Sequence, residues 1–196
     1  DEAGDGVLTV RDWVQAGRYA AGLDPLTVIG GPTAPVLPRP LATGSNAHNE
    51  EVPRVVRLAK GEAVSGLVVT LPVTLQALGN ENGLGFSVDF DPAVLRYVGV
   101  AKGSAASSAT LNANTLQTAS GKVGLLLALP TGNSFVAGTQ EVARVTFVAQ
   151  AAAGTYPVAL GDQPVWRAVS DSAAQELSTL YVNNDVVVHT SPALAI

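Results

Sequence analysis

Cysteine and methionine are both absent from this 196-residue sequence, and aromatic residues make up only 5% of it. Without cysteine, the chain has no disulfide framework and no zinc or iron–sulfur site built on thiolates. Because no methionine stands even at position 1, we expect Asp1 to be a processed start and the natural protein to extend upstream. Charged residues form 14% of the chain, against about a quarter in typical domains, so small and uncharged polar residues must form much of the surface.

The charges that are present argue against two classes of partner. Eleven Lys and Arg residues are scattered along the chain and the net charge is -5, so the sequence offers no basic patch for nucleic acid. No apolar run approaches the roughly 18 residues that a membrane-spanning helix needs. The sequence also has no nucleophile elbow, zinc-binding helix or phosphate-binding loop, so we expect no catalytic residues and no enzyme activity.

Residues 1–24 predict a short loop followed by a helix. Thr9 and Asp12 have the spacing of a capping box, and Val10 and Val14 follow at a helical interval. Residues 25–53 are rich in proline and predict an extended, semi-rigid linker. Because this linker also carries apolar side chains, we expect it to lie along a neighbouring surface and the helix to dock its apolar side on the domain that follows.

Residues 54–190 contain many short runs rich in β-branched residues, separated by turns with Gly, Asn and Pro. The clearest run alternates Leu84, Phe86 and Val88 with small or polar residues, which is typical of a half-buried strand. This pattern predicts an all-β antiparallel sandwich, preceded by the short loop and helix and followed by a tail at 191–196. The predicted strands are 55–58, 66–75, 84–90, 97–100, 111–117, 123–129, 142–149, 155–160, 165–169 and 182–188.

Six phrases, in order, carry a resemblance to a known family. The most characteristic is Phe-Asp-Pro-x-Val-Leu at 90–95, which closes the phrase 85–95. The other five are Gly-Glu at 61 leading into 71–75, and then 121–125, 142–147, 153–157 and 183–188. Together they resemble a cohesin domain, the jelly-roll receptor module of cellulosome scaffolds. The resemblance implies a non-catalytic module that binds a dockerin-type partner in an extracellular assembly, either secreted or at the cell surface.

In cohesins the dockerin docks on one sheet, and the strand before the Asp-Pro phrase contributes polar contacts. The family often has Asn and Asp where this chain has Gly83 and Gly85, so the resemblance implies a flat, apolar face with fewer side-chain hydrogen bonds. Leu126 and Ala128, or their neighbours Leu125 and Leu127, are expected to join that face. The partner-binding residues implied by the resemblance are Gly83, Gly85, Ser87, Asp89, Leu126, Ala128, Arg144 and Thr146.

Residues 1–22 resemble one calcium-binding repeat of a dockerin. An EF-hand-like loop needs oxygen ligands at set positions and Gly at position 6, which is Gly6 here. The ligands implied by this match are Asp1, Asp5, Thr9 and Asp12 through their side chains and Val7 through its carbonyl group. Ala3 stands where the family has Asn or Asp, so one ligand is missing. The resemblance makes Ca²⁺ a possible cofactor and another cohesin a possible partner of this N-terminal part, with a second repeat expected upstream.

Two other functions remain open from the sequence. A carbohydrate-binding module needs a row of aromatic side chains on one face, and Trp13 and Trp166 are candidates for sugar stacking, although a packing role is the simpler interpretation of both. A structural module of a cell-surface protein would need neither a specific partner nor calcium. Because sandwiches carry many functions, a likeness at the level of the fold does not choose between these.

Overall fold

The structure is a computed structural model that describes residues 9–20 and 53–190. Within them one helix, α1 (Val10–Ala20), precedes twelve strands. The strands are β1 (Arg54–Leu58), β2 (Gly61–Val64), β3 (Val68–Ala77), β4 (Glu81–Asp89), β5 (Leu95–Lys102), β6 (Thr110–Asn114), β7 (Lys122–Ala128), β8 (Gly138–Ala149), β9 (Gly154–Gly161), β10 (Ala168–Asp171), β11 (Thr179–Val182) and β12 (Asn184–His189). Two short 3-10 helices, Ser104–Ala106 and Thr118–Ser120, flank β6.

The strands form two sheets that pack face to face. The first sheet has the order β11-β1-β3-β8-β5, and the second has the order β2-β12-β9-β4-β7-β6. Strand β10 also belongs to the second sheet. It pairs with the first half of β4, whereas β9 pairs with the second half of β4. Pairing is antiparallel except between β1 and β11 and between β2 and β12. The predicted all-β sandwich with a short N-terminal helix is confirmed.

The core lies between the two sheets and follows the alternation of the strands. Leu84, Phe86 and Val88 of β4 are at most 1% exposed, as the period of two predicts. Phe147 of β8 faces them from the first sheet, and its ring packs edge-on against Phe90 with 4.9 Å between the ring centroids. The aliphatic majority of this core is what gives a sequence with few aromatic residues enough buried area to fold.

Three details differ from the sequence-based prediction. The predicted strand at 182–188 is β12, except for Val182, which ends β11, an additional strand in the other sheet. The predicted strand at 165–169 begins only at Ala168, because the residues before it leave the sheet. Strand β2 was not predicted at all. The predicted linker, apart from Pro53, and the tail at 191–196 lie outside the described residues.

A buried ion pair fixes the edge of the sandwich where β4 begins. Arg54 and Glu81 are 2% and 0% exposed, and Arg54 Nε donates to Glu81 Oε1 at 2.6 Å. The backbone N–H groups of Leu78 and Gly79 donate to the same carboxylate. Burial by itself would raise the pKa of Glu81, but these hydrogen bonds outweigh it and hold the pKa below its ordinary value.

Candidate partner-binding face

Six of the eight predicted partner-binding residues lie together on the second sheet. Because the apolar residues of β4 point into the core, the residues between them point away from it. Gly83 pairs with Ala128 of β7, and Gly85 pairs with Leu126. The alternatives Leu125 and Leu127 are core residues. We call the outward-pointing residues of β4 and β7 the docking face: Gly83, Gly85, Ser87, Asp89, Gly124, Leu126 and Ala128.

The other two predicted residues, Arg144 and Thr146, are not part of this face. Both lie on β8, which belongs to the first sheet. Since Val145 and Phe147 of β8 fill the core, Arg144 and Thr146 point outward on the opposite side of the sandwich. Thr146 Oγ1 is hydrogen-bonded to Thr70 Oγ1 at 3.1 Å on that side. The prediction that they lie beside Leu126 is therefore wrong.

The docking face, predicted to be flat and apolar, is partly covered because the chain folds back over it. Residues 162–167, which connect β9 to β10, leave the sheet and lie on β4 and β7; we call them the cover segment. Ser87 Oγ donates to the carbonyl oxygen of Val165 and accepts from its N–H, each at 2.8 Å. A Cβ on Gly124 would lie 2.5 Å from Val165 Cγ2, and one on Gly85 would lie 2.9 Å from the carbonyl oxygen of Trp166. Glycine is therefore required where the cover segment approaches the sheet.

Arg167 joins the two ends of the cover segment. Its Nε and Nη2 atoms donate to the two carboxylate oxygens of Asp162, each at 2.8 Å, and its Nη1 atom donates to the carbonyl oxygen of Leu160 at 3.2 Å. The guanidinium also lies 5.1 Å from the centroid of the Tyr181 ring. Hydrogen bonds from Arg167 lower the pKa of Asp162 below its ordinary value. This bidentate ion pair holds the first and last residues of the cover segment together.

Helix α1 covers the end of the docking face that the cover segment leaves. Val10 and Val14 on its inner side are 0% and 5% exposed. They form a small apolar cluster with three other side chains, Ala168, Ala174 and Leu126. A Cβ on Gly83 would lie 2.7 Å from Val10 Cγ2, so glycine again allows the close approach. The expectation that the helix docks on the sandwich is confirmed, and it docks on the face predicted to bind a partner.

Polar contacts between α1 and the domain flank this apolar cluster. Arg11 Nε donates to the carbonyl oxygen of Ala174 at 3.0 Å, and Arg18 Nη1 donates to that of Ser172 at 2.9 Å.

At the start of α1, the N–H of Thr9 donates to Asp12 Oδ2 at 2.7 Å, and Thr9 Oγ1 accepts from the N–H of Arg11. The predicted capping box is therefore present. Burial would raise the pKa of Asp12, but the hydrogen bonds from Thr9 help to hold it below its ordinary value.

One hydroxyl under α1 has no hydrogen-bond partner. Ser170 of β10 stands opposite Gly83 in the sheet and is 0% exposed. Its Oγ lies 3.2 Å from where a Cβ on Gly83 would be, at the contact with Val10 and Val14, and no polar atom bonds to it. Such an orphaned hydroxyl disfavours the arrangement that buries it.

The rim of the docking face is partly exposed and carries charged, polar and aromatic side chains. Asp89 and Lys122 form an ion pair at 3.0 Å where β4 ends. Asn112, on the edge strand β6, is exposed beside Leu126, with which it pairs. Trp13 on α1 and Trp166 on the cover segment are 40% and 48% exposed, so neither is a core residue. The sequence patterns did not single out the cover segment, Arg167 or Ser170 as parts of this site.

The predicted calcium site is only partly within the described residues. Asp1, Asp5 and Val7 lie outside them, and Thr9 and Asp12 contact each other as described above, so the metal site stays a prediction. Over residues 9–20 and 53–190, no group of three or more His, Cys, Asp and Glu side chains is arranged to hold a metal ion. In the same residues, α1 is too short to cross a membrane, and there is no longer apolar helix.

The fold defines a jelly-roll β-sandwich domain with one sheet face covered by its own chain. The model of the Cohesin domain family matches residues 55–188, which is more than half of the chain. The chain therefore belongs to the cohesin domain family, and the resemblance found in the sequence is confirmed for this part. No curated protein matches the sequence significantly. Members of the family are non-catalytic interaction modules that bind dockerins in cohesin–dockerin complexes.

Solved structures show the same fold at low sequence identity. A type I cohesin–dockerin complex from Clostridium thermocellum has a TM-score of 0.62 at 12% identity, covering 74% of this chain and 99% of that one. A non-cellulosomal cohesin from the archaeon Archaeoglobus fulgidus has a TM-score of 0.59 at 13% identity, covering 69% and 91%. The seventh ScaB type I cohesin of Pseudobacteroides cellulosolvens has a TM-score of 0.58 at 18% identity, covering 74% and 97%.

Proposed function

We propose that this chain is a non-catalytic receptor module that binds a dockerin-type partner in an extracellular assembly, secreted or at the cell surface. Its membership of the cohesin domain family over residues 55–188 carries the proposal. A similar solved structure is a cohesin bound to its dockerin. The hydrogen-bonded sheet beneath the face supports the same role, because a preformed scaffold loses little entropy on binding.

The proposed contact surface is the side of the second sheet that carries the docking face. Trp166 is half-exposed on the cover segment, and both its carbonyl oxygen and the side chain of Leu126 lie beside Gly85. Asn112 and the Asp89–Lys122 ion pair surround this apolar centre. A central aromatic anchor with a polar rim is the usual anatomy of a specific protein–protein interface.

The test measures binding of the full chain to each dockerin module encoded in the source organism, expressed singly, by isothermal titration calorimetry with calcium and with EDTA. We expect one or more dockerins to bind in calcium. Trp166→Ala should weaken that binding by about 30-fold, as for an interface anchor worth about 2 kcal/mol. The control is Val98→Ala, because Val98 is 50% exposed on β5 of the opposite sheet. Binding of no dockerin by a folded chain would refute the proposal, and equal effects of the two substitutions would refute the proposed surface.

The proposal extends to the N-terminal part. Asp1, Asp5, Val7, Thr9 and Asp12 are proposed to bind Ca²⁺, and this part is proposed to be a dockerin-like element able to contact a cohesin. The capping box at Thr9 and Asp12 supports it, because a loop ligand followed by a carboxylate in the first helical turn has the spacing of positions 9 and 12 of an EF-hand-like loop. The docking of α1 on a sheet of this cohesin domain also supports it.

A further inference from the structure

Helix α1 lies on the docking face through a contact that is small and distinct from the main core. Its buried apolar members are two valines of the helix and Ala168 and Ala174 of the domain, and none of the four belongs to the core cluster between the sheets. The polar contacts include hydrogen bonds from Arg11 and Arg18 to backbone carbonyl groups and an exposed ion pair of Arg11 with Glu176 at 3.9 Å. The helix can therefore leave the face without exposing the main core.

Nothing in the covalent chain forces α1 to stay on this face. The helix has 11 residues, and isolated helices of this length are marginal in water. The sequence places 33 residues between Ala20 and Arg54, and the entropy of closing so long a loop changes only slowly with its length. Neither the helix by itself nor its connection therefore holds α1 on the face, and a ligand that binds the face can compete with it.

The docked helix also leaves the face chemically incomplete. Ser170 Oγ is buried under Val10 and Val14 without a hydrogen-bond partner. A permanent interior contact rarely leaves a hydroxyl in this state, because an unsatisfied buried group is destabilising. Released from α1, the same hydroxyl would be open to water or to a polar group of another occupant.

We propose that α1 is a cis-acting cover of the docking face, which a dockerin-type partner must displace to reach Gly83, Leu126 and Ala128. The proposal rests on the proposed function and adds a regulatory step to it. Binding of the partner and docking of α1 are mutually exclusive. The apparent affinity is therefore the intrinsic affinity reduced by the fraction of molecules in which α1 is released.

A reversible lock tests this directly, since the chain has no cysteine of its own. A Cβ on Gly17 of α1 would lie 3.4 Å from Thr131 Oγ1, which suits a disulfide between Gly17→Cys and Thr131→Cys. Thr131 is exposed and lies beyond the end of β7, outside the docking face. The double variant is oxidised in dilute solution, and dockerin binding is measured before and after reduction. The two single variants, treated identically, are the controls.

We expect the disulfide to form within single chains, and the oxidised chain to bind dockerin at least tenfold more weakly than the reduced chain. Excess dockerin should also slow formation of the disulfide. Equal affinities of the oxidised and reduced chains would overturn the cover while leaving the proposed function intact. Disulfides that form only between chains would also overturn it, because the helix would then dock in trans.

A second pair of variants tests the same proposal by destabilising the docked helix. Val14→Asp places a charge in the apolar cluster between α1 and the domain, whereas Ala16→Asp adds the same charge at an exposed position of the same helix. We expect Val14→Asp to bind dockerin at least threefold more tightly than Ala16→Asp, with an unchanged sandwich by circular dichroism. Equal affinities would contradict the cover. If neither these variants nor the reduced and unmodified chains bind any dockerin, the proposed function fails and the cover fails with it.

Discussion

Substituting Gly83 by alanine should release α1 without unfolding the sandwich. The added Cβ would lie 2.7 Å from Val10 Cγ2 and 3.2 Å from both Val14 Cγ2 and Ser170 Oγ. Ordinary contacts between carbon atoms are about 3.5–4.0 Å, so the helix must move by about 1 Å or leave. Val10 cannot relieve the overlap easily, because β-branched side chains are restricted at χ1.

The magnitudes favour release. Full burial of a valine is worth about 1.5 kcal/mol at the lower end of the range for apolar side chains, so the two valines contribute about 3 kcal/mol. Ordering the helix and its side chains reduces this further. Overpacking of a well-filled contact costs about 1–3 kcal/mol. The clash from a single methyl group is therefore comparable to the contribution of the two valines, which form the apolar part of the contact.

Hydrogen exchange measured by mass spectrometry distinguishes the two responses. Peptides covering residues 9–20 should exchange faster in Gly83→Ala, while the midpoint of thermal unfolding of the sandwich should change by less than about 2 °C, since 1 kcal/mol corresponds to about 2–4 °C in a domain of this size. Gly99→Ala is the matched control, because no atom lies within 4 Å of the Cβ it would add. Unchanged exchange in residues 9–20 of Gly83→Ala would show that the added methyl group does not displace α1, and would refute this reasoning.

Three other predictions concern the buried ion pair, the cover segment and calcium. Glu81→Gln should destabilise the sandwich by about 3–5 kcal/mol, because it removes the negative charge facing the buried Arg54 guanidinium. Since the folded-state pKa of Glu81 is lowered, its contribution is present above the ordinary value of 4.5 and is lost as the pH falls below it. Ser87→Ala removes both hydrogen bonds to Val165 and should destabilise the closed cover segment by about 1–3 kcal/mol, seen as faster exchange in residues 162–167. Calcium titration should give one site, abolished by Asp5→Ala.

Each of these has a matched control. Glu62→Gln changes an exposed glutamate that is 66% accessible. At each pH between about 3 and 7, its free energy of unfolding in urea should equal that of the unsubstituted chain. Thr146→Ala removes a hydrogen bond on the opposite sheet and should not affect residues 162–167. Asp91→Ala changes a turn aspartate far from the loop in sequence and should leave calcium binding intact. An equal response of the variant and its control would contradict the corresponding prediction.

Local patterns allowed much of the fold to be predicted. The alternation along β4 identified Leu84, Phe86 and Val88 as core residues because a strand has a strict period of two. The capping box at Thr9 and Asp12 located the start of α1, because both partners lie within one turn of chain. The phrases spread over 55–188 identified the family that the family model matches.

The remainder depends on which strands become neighbours, and single runs do not encode that. Arg144 and Thr146 alternate correctly along β8, but only the topology shows that β8 lies in the sheet opposite β4. Tyr181 and Asn184 are close in sequence and belong to different sheets for the same reason. The calcium ligands Asp1 and Asp5 lie outside the described residues, so the N-terminal loop stays a sequence-based prediction.

A signal for the covered face was present in the sequence and was interpreted differently. Gly83, Gly85 and Gly124 occupy outward positions on two central strands, where glycine weakens a strand unless another chain segment approaches closely. The small residues by themselves predict a flat, apolar surface. The distances show instead that added Cβ atoms at these three positions would collide with α1 or with the cover segment.

The same glycines connect the missing polar contacts with the covers. The family resemblance implies Asn and Asp where this chain has Gly83 and Gly85. Those side chains cannot fit here, because even a Cβ would lie 2.7 Å from Val10 Cγ2 at one position and 2.9 Å from the carbonyl oxygen of Trp166 at the other. Glycine at these two positions therefore both omits the polar side chains and admits the covers. Gly83→Asn would add a polar group for a partner and would displace the docked helix at the same time. Affinity for the partner should then rise for two reasons, and Gly83→Ala separates them, because it displaces the helix without adding the polar group.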